Sequence, residues 1–139
     1  MRDSLDSAIA TALAPIAGVR VAFLFGSRSR GTARQNSDLD LGVRYADGQG
    51  AEGREATRRE IIACLTDALG AVGERADVVD LERTDAAVAF AAIRGTCVLA
   101  RTRDEKVRLV ARAARMYDAD APRRALFVEA ARRLGARGG

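Results

Sequence analysis

The segment "SDLDLGVRY", residues 37–45, alternates polar and apolar side chains, and this pattern admits few folds. A strand turns successive side chains to opposite faces, so Leu39, Leu41 and Val43 share one face while Asp38, Asp40 and Gly42 share the other. The α-carbons of Asp38 and Asp40 then lie about 7 Å apart. Two carboxylates on one face are costly if left bare, and together they call for a cation. Upstream, "VRVAFLF" is a nearly unbroken apolar run with β-branched and aromatic members, expected as a buried strand over Val19–Phe25. Between the two strands the chain breaks at Gly26-Ser27 and crosses a patch of arginines.

The remaining segments supply more short strands and several helices. Leu5, Ile9 and Leu13 recur at helical spacing before Pro15 and Gly18 close the first helix. A turn-rich loop is expected around 46–53, followed by an amphipathic helix with Ile61, Ile62, Leu65 and Leu69 inward and an end near Gly70. "ERADVVDLE" is expected as a third strand, with Asp77, Val79 and Leu81 on one face and Val78 and Asp80 on the other. A short helix capped by Thr84 or Asp85 and stopped by Gly95 precedes a fourth strand, "TCVLAR". Two final helices follow, the second with Pro122 in its first turn. With no repeat and no long linker, one domain is expected over 1–134, with a disordered tail at 135–139.

Composition narrows the chemistry. Four Phe, two Tyr and no Trp leave the core to Ala, Val, Leu and Ile, and disfavour an aromatic platform for single-stranded nucleic acid. Cys64 and Cys97 stand alone in apolar settings and His is absent, so neither a zinc site nor a disulfide framework is expected. No apolar run approaches a membrane span, and the N-terminal segment lacks the basic and apolar regions of a signal peptide, so a cytoplasmic chain without membrane contact is expected. The net charge of +4 comes almost wholly from Arg, since Lys106 is the sole lysine. An Arg surplus suits nucleic acid, nucleotide phosphates or an acidic protein, although base composition of the gene or solvated helix faces would also produce it.

A third acid beside Asp38 and Asp40 would complete a cluster able to hold two Mg²⁺ about 3.5–4 Å apart for phosphoryl or nucleotidyl transfer. Asp77 is preferred because it opens its strand near the pair; Asp80, on the other strand face, competes with it. Gly26 permits a tight turn and close approach by phosphate, and Ser27 can cap a short helix whose free N–H groups favour anions. Arg28, Arg30 and Arg34 are candidates to clamp phosphates, and Gly31 to leave a triphosphate room.

The arrangement "GSRSRGTARQNSDLDLGV" resembles the polymerase-beta-like nucleotidyltransferase superfamily, with its Gly-Ser, short glycine-bearing helix and Ser-Asp-x-Asp. The resemblance implies an α/β (α+β) fold, a small mixed β-sheet flanked by helices. It implies that Gly26 and Ser27 bind nucleotide phosphate, that Asp38 and Asp40 bridge two Mg²⁺, and that Asp77 holds the catalytic metal and helps activate an acceptor hydroxyl. The length and the C-terminal pattern, in which Gly95, Leu99, Tyr117 and Asp118 fit and Arg94 replaces a common acid, further resemble the minimal nucleotidyltransferase antitoxins. These imply ATP as donor, transfer of AMP to a tyrosine of a HEPN-type ribonuclease toxin, and a hetero-oligomer with that toxin. A non-catalytic steric antitoxin and an antibiotic-type small-molecule nucleotidyltransferase are the competing readings, and a nucleic-acid polymerase is disfavoured by the short chain.

Overall fold

The computed structural model describes residues 2–26 and 38–138, and side chains over 4–26 and 38–134. Helix α1 (Arg2–Leu13) leads into β1 (Val19–Phe25) and β2 (Asp40–Tyr45). Helices α2 (Gly50–Leu69) and α3 (Ala71–Glu74) then connect to β3 (Asp77–Asp80). Helix α4 (Ala86–Ile93), β4 (Thr96–Ala100), α5 (Arg103–Ala119) and α6 (Ala121–Gly138) complete the chain. The sheet order is β3-β2-β1-β4. Strand β1 runs antiparallel to β2 and β4, whereas β2 and β3 are parallel, which the crossover through α2 makes possible.

Because β1 is central, both of its faces are covered, which accounts for its lack of alternation. One face packs Val19, Ala22 and Leu24 with Leu39, Leu41 and Val43 of the next strand against Ile9, Leu13, Ile61 and Leu65 of α1 and α2. On the other, Val21 and Phe23 meet Leu81, Ala92 of α4 and Leu109 of α5. A Cβ on Gly42 would lie 2.6 Å from Leu81 Cδ2 and 3.2 Å from Ala92 Cβ, so a glycine here lets α4 sit close on the sheet. The caps agree with the local chemistry: Asp85 accepts from Val88 N at 2.8 Å, and Thr102 accepts from Glu105 N.

Two boundaries depart from the sequence reading. Helix α2 begins at Gly50, inside the segment expected as a loop. Gln49 anchors that start from outside the helix, donating to Gly18 O at 3.0 Å and Ala46 O at 3.2 Å while accepting from Thr57 Oγ1 at 2.6 Å. A Cβ on Gly53 would come within 2.8 Å of Gln49 Cβ, so the glycine that reads as a turn former is the residue that leaves Gln49 room. The short α3 had no separate signal. Helical backbone of α6 is described through Gly138, in line with the helix preference of Ala and Arg. Among the described residues no helix is long and apolar enough to cross a membrane.

Two polar clusters tie the elements together. The Arg101 guanidinium donates to Leu13 O, Ala14 O, Ile16 O and Val19 O at 2.8–3.3 Å, satisfying carbonyls at the end of α1 and locking it to the edge of the sheet. Glu105 takes Arg20 in a two-pronged pair at 2.5 and 2.8 Å, with Arg44 Nη1 at 3.4 Å. Arg20 above all, then Thr102 and Arg44, hold the Glu105 carboxyl down to about 2 from an ordinary 4.5.

Replacing Arg101 with Met is expected to cost about 2 kcal/mol in urea unfolding, the scale of losing charge-assisted hydrogen bonds, and Lys should recover only part because one ammonium cannot reach four carbonyls. For Glu105 the sign follows from its depressed pKa. Its contribution is complete above the ordinary carboxylate range and disappears as pH falls from about 5 towards 2. Thermal melts of the parent and Glu105→Gln should therefore converge across that window.

Candidate functional site

The acids come together through register. Phe25 of β1 pairs with Asp40 of β2, and Asp40 pairs in turn with Asp77 of β3. Asp77 N donates to Leu39 O at 2.8 Å, fixing the parallel pair at its first rung. Asp40 and Asp77 thus stand side by side where β1 ends and β2 and β3 begin. Asp38 precedes the same strand by two residues and is exposed, as is Asp77, while Asp40 is partly buried.

Gly26 continues β1 into this corner with φ +76°, a conformation that L side chains rarely adopt. A Cβ on it would lie 2.4 Å from Asp40 Oδ2. Backbone shape and the space needed by the Asp40 carboxylate therefore both demand glycine. Ser27, Arg28, Arg30, Gly31 and Arg34, the expected phosphate-binding residues, lie outside the described residues.

Burial pushes the Asp40 carboxyl above its ordinary value, and the nearby charges of Asp77 and then Asp38 raise it further. This is the electrostatic signature of a like-charge group that a cation would relieve. The donor set fits Mg²⁺, a hard ion that takes carboxylate oxygens from only one or two side chains and fills its remaining positions with water and substrate phosphate. Among the described residues, no three Asp, Glu, Cys or His side chains are gathered as a ready-made metal site. Whatever closes the coordination shell must then come from the nucleotide, from water or from side-chain rotation.

Asp80 has a different environment. It lies one strand face away, where Oδ2 pairs with Arg83 at 3.1 Å and Arg54 of α2 at 3.7 Å and Oδ1 accepts from Glu82 N at 3.0 Å. No described ion pair joins Asp38, Asp40 or Asp77 to a cation, and the Arg58 guanidinium acts on Asp77 only at longer range. Asp80 is a satisfied ion-pair member, and Asp77 is the acid that the sheet brings beside Asp40.

The C-terminal pattern residues fall around α4 and its neighbours. Gly95 admits the chain against β1, since a Cβ there would lie 2.2 Å from Leu24 O, and Leu99 pairs with Ala22. Tyr117 stacks on Phe90 with centroids 4.0 Å apart and planes 11° apart, while Arg124 covers its other side with Cζ 3.4 Å from the ring centroid and donates to Tyr117 O. Arg94 Cζ lies over Phe90, 5.8 Å from the ring centroid, and Asp118 is exposed. Phe90 was not singled out from sequence, and Arg124 stood there only among the arginines of the last two helices. Their scarcity value as one of six aromatics and one of many arginines gave no hint that helix packing brings them together.

No curated protein sequence matches the chain. Among solved structures, a chain of an MntA–HpeT toxin–antitoxin complex with a tyrosine-to-alanine mutation is 26% identical, with TM-score 0.65 over 86% of this chain and 92% of that one. A toxin–antitoxin crystallised with AMP-PNP is 23% identical, with TM-score 0.66 over 90% and 97%. A complex of tri-AMPylated Shewanella oneidensis HEPN toxin with MNT antitoxin is 20% identical, with TM-score 0.62 over 94% and 98%. At these last two identities the likeness is one of fold. The family model described as Polymerase beta, Nucleotidyltransferase matches residues 8–104, which span the whole sheet and the three acids. On that match over most of its length, the chain belongs to the polymerase beta nucleotidyltransferase family.

Proposed function

We propose that the chain is an antitoxin that transfers AMP from ATP to a tyrosine hydroxyl of a HEPN-type toxin and so silences it, working as a hetero-oligomer with that toxin in the cytoplasm. The observation that carries this reading is the rung Phe25–Asp40–Asp77 beside a left-handed Gly26, because it sets two carboxylates against a turn suited to phosphate. Family membership supports the transfer chemistry. The relatives crystallised with AMP-PNP and with a tri-AMPylated toxin support the donor and the acceptor.

In this reading Gly26 and Ser27 receive the β- and γ-phosphates, and Arg28 and Arg30 offset their charge. Asp38, Asp40 and Asp77 would hold two Mg²⁺. When bound, Mg²⁺ supplies charge stabilisation at the attacking and leaving oxygens of an in-line displacement. The tyrosine oxygen bonds to the α-phosphorus while the bond from that phosphorus to the bridging oxygen breaks, and pyrophosphate leaves. Asp77 helps draw the hydroxyl proton away as the bond forms. A domain of this size offers one wall of the cleft, and the acceptor, a folded protein, supplies the other.

Incubating the toxin with the chain, ATP and Mg²⁺ should raise its intact mass by about 329 Da for each AMP added. Asp40→Asn should slow this at least about a hundredfold, the scale of losing one charge-stabilising group at a reacting centre. The same change should raise the melting temperature in EDTA, because it removes a charge that Asp77 and Asp38 oppose. An unmodified toxin that is still silenced, and equally so by Asp40→Asn, would make the chain a steric inhibitor instead.

The two remaining acids should separate in the same assay. Asp77→Asn is expected to be nearly as damaging as Asp40→Asn, and Asp80→Asn to leave the rate within about threefold, since it loses only ion pairs near the surface. The reverse order would move the third ligand to Asp80.

A further inference from the structure

Helix α3 is a single turn of four residues, and the chain pins it on both sides. A Cβ on Gly73 would lie 2.1 Å from Leu65 O, so the turn is pressed against the end of α2. Arg75 N donates to Ala71 O at 3.2 Å and Ala76 N to Gly73 O at 3.1 Å, and Asp77 N then enters the first rung of β3 on Leu39 O at 2.8 Å. What this fixed link carries outward is Arg75. It is exposed and lies two residues before Asp77, so their α-carbons are at most about 7 Å apart.

Arg75 stands apart from the other arginines of the sheet region. Every other described arginine from Arg20 to Arg101 has an acid, a carbonyl or a ring as partner. The Arg75 guanidinium has none among the described residues, and it pairs with neither Glu74 nor Asp77, the acids on either side of it in the chain. Arg58, the other cation that acts on Asp77, is held by Glu55 at 2.8 and 2.9 Å. The segment 27–37 contains no acid. Arg75 is therefore the uncommitted cation beside the acid corner.

Strand order decides which substrate it meets. Gly26 follows β1, Asp40 opens β2, and Asp77 opens β3 at the edge of the sheet. With neighbouring strands about 4.8 Å apart, Asp77 stands roughly 10 Å from the turn assigned to the leaving pyrophosphate. Arg75 is on the side of the attacking oxygen. We propose that Arg75 is a further catalytic residue, its guanidinium donating to the acceptor tyrosine's oxygen as that oxygen passes its proton to Asp77 and bonds to the α-phosphorus. This rests on the proposed function and deepens it. A phenol in water has a pKa of about 10, and a fixed cationic donor offsets the charge that develops as its proton leaves. The charge departs with pyrophosphate, and Arg75 is unchanged by the turnover.

The test is the toxin-modification assay above, run with the full chain at varied toxin concentration. Because Arg75 is exposed and unpaired, Arg75→Ala and Arg75→Lys should melt and show circular dichroism like the parent. Arg75→Ala is expected to lower kcat at least about tenfold, with the KM for toxin and the affinity for AMP-PNP with Mn²⁺ kept within about twofold. Arg75→Lys should retain more of the rate, and millimolar guanidinium should restore part of it to Arg75→Ala while leaving the parent unchanged. Arg59→Ala, which loses an exposed arginine 3.9 Å from Glu55, should keep the parental rate. A parental kcat in Arg75→Ala overturns the assignment. So does a raised KM with kcat unchanged, which would make Arg75 a docking contact, or a loss of AMP-PNP affinity, which would put it on the donor. A rate that neither Lys nor guanidinium restores marks a structural loss, and an equal fall in Arg59→Ala an effect of net charge; each overturns it too. In all these cases the parent still modifies the toxin and the proposed function stands. A parent that leaves the toxin unmodified overturns that function, and the role of Arg75 with it.

Discussion

The pairing of Asp40 with Asp77 across parallel strands is the contact on which the rest of this structure depends. It puts two carboxylates on adjacent strands at the same height, where their repulsion opposes folding unless a cation is present. What holds them there is the opposite face of the same strands. Leu39, Leu41 and Val43 are fully buried against α1 and α2, and a slip of one residue would exchange them with the acids. The apolar face therefore supplies the stability and the polar face carries the strain, a division that only a register-locked strand provides.

That division explains which parts were readable beforehand. The alternation of 38–43 carries its facing with it, so the shared face of Asp38 and Asp40 followed from period alone. The buried run Val19–Phe25 likewise identified the central strand. The choice between Asp77 and Asp80 turned on which face of β3 meets Asp40 and which meets Arg54, a matter of parallel register that no local pattern encodes. The start of α2 was misjudged for a related reason. Gly50 and Gly53 carry turn propensity, and a long-range hydrogen bond from Gln49 to Gly18 O prevails over it.

The second half of the chain shows a different economy. Arg101 reaches back more than eighty residues to cap α1, and Glu105 gathers Arg20 and Arg44, so arginines that read as a general surplus have individual structural tasks. Arg124 belongs with them, since it tethers α6 through Tyr117. Arg103, Arg115, Arg123 and Arg132 of the same two helices have no acidic partner among the described residues. Charge composition alone could not separate the two groups, because it is the partner in space that distinguishes a capping guanidinium from one awaiting a ligand.

The central claim is that Asp38, Asp40 and Asp77 form a cation site completed by nucleotide. Mn²⁺ can stand in for Mg²⁺ and be counted by electron paramagnetic resonance in the presence and absence of AMP-PNP. The account predicts tight Mn²⁺ binding that requires the nucleotide in the parent and is lost in both Asp40→Asn and Asp77→Asn but kept in Asp80→Asn. Mn²⁺ and nucleotide binding that are unchanged by Asp40→Asn would contradict it.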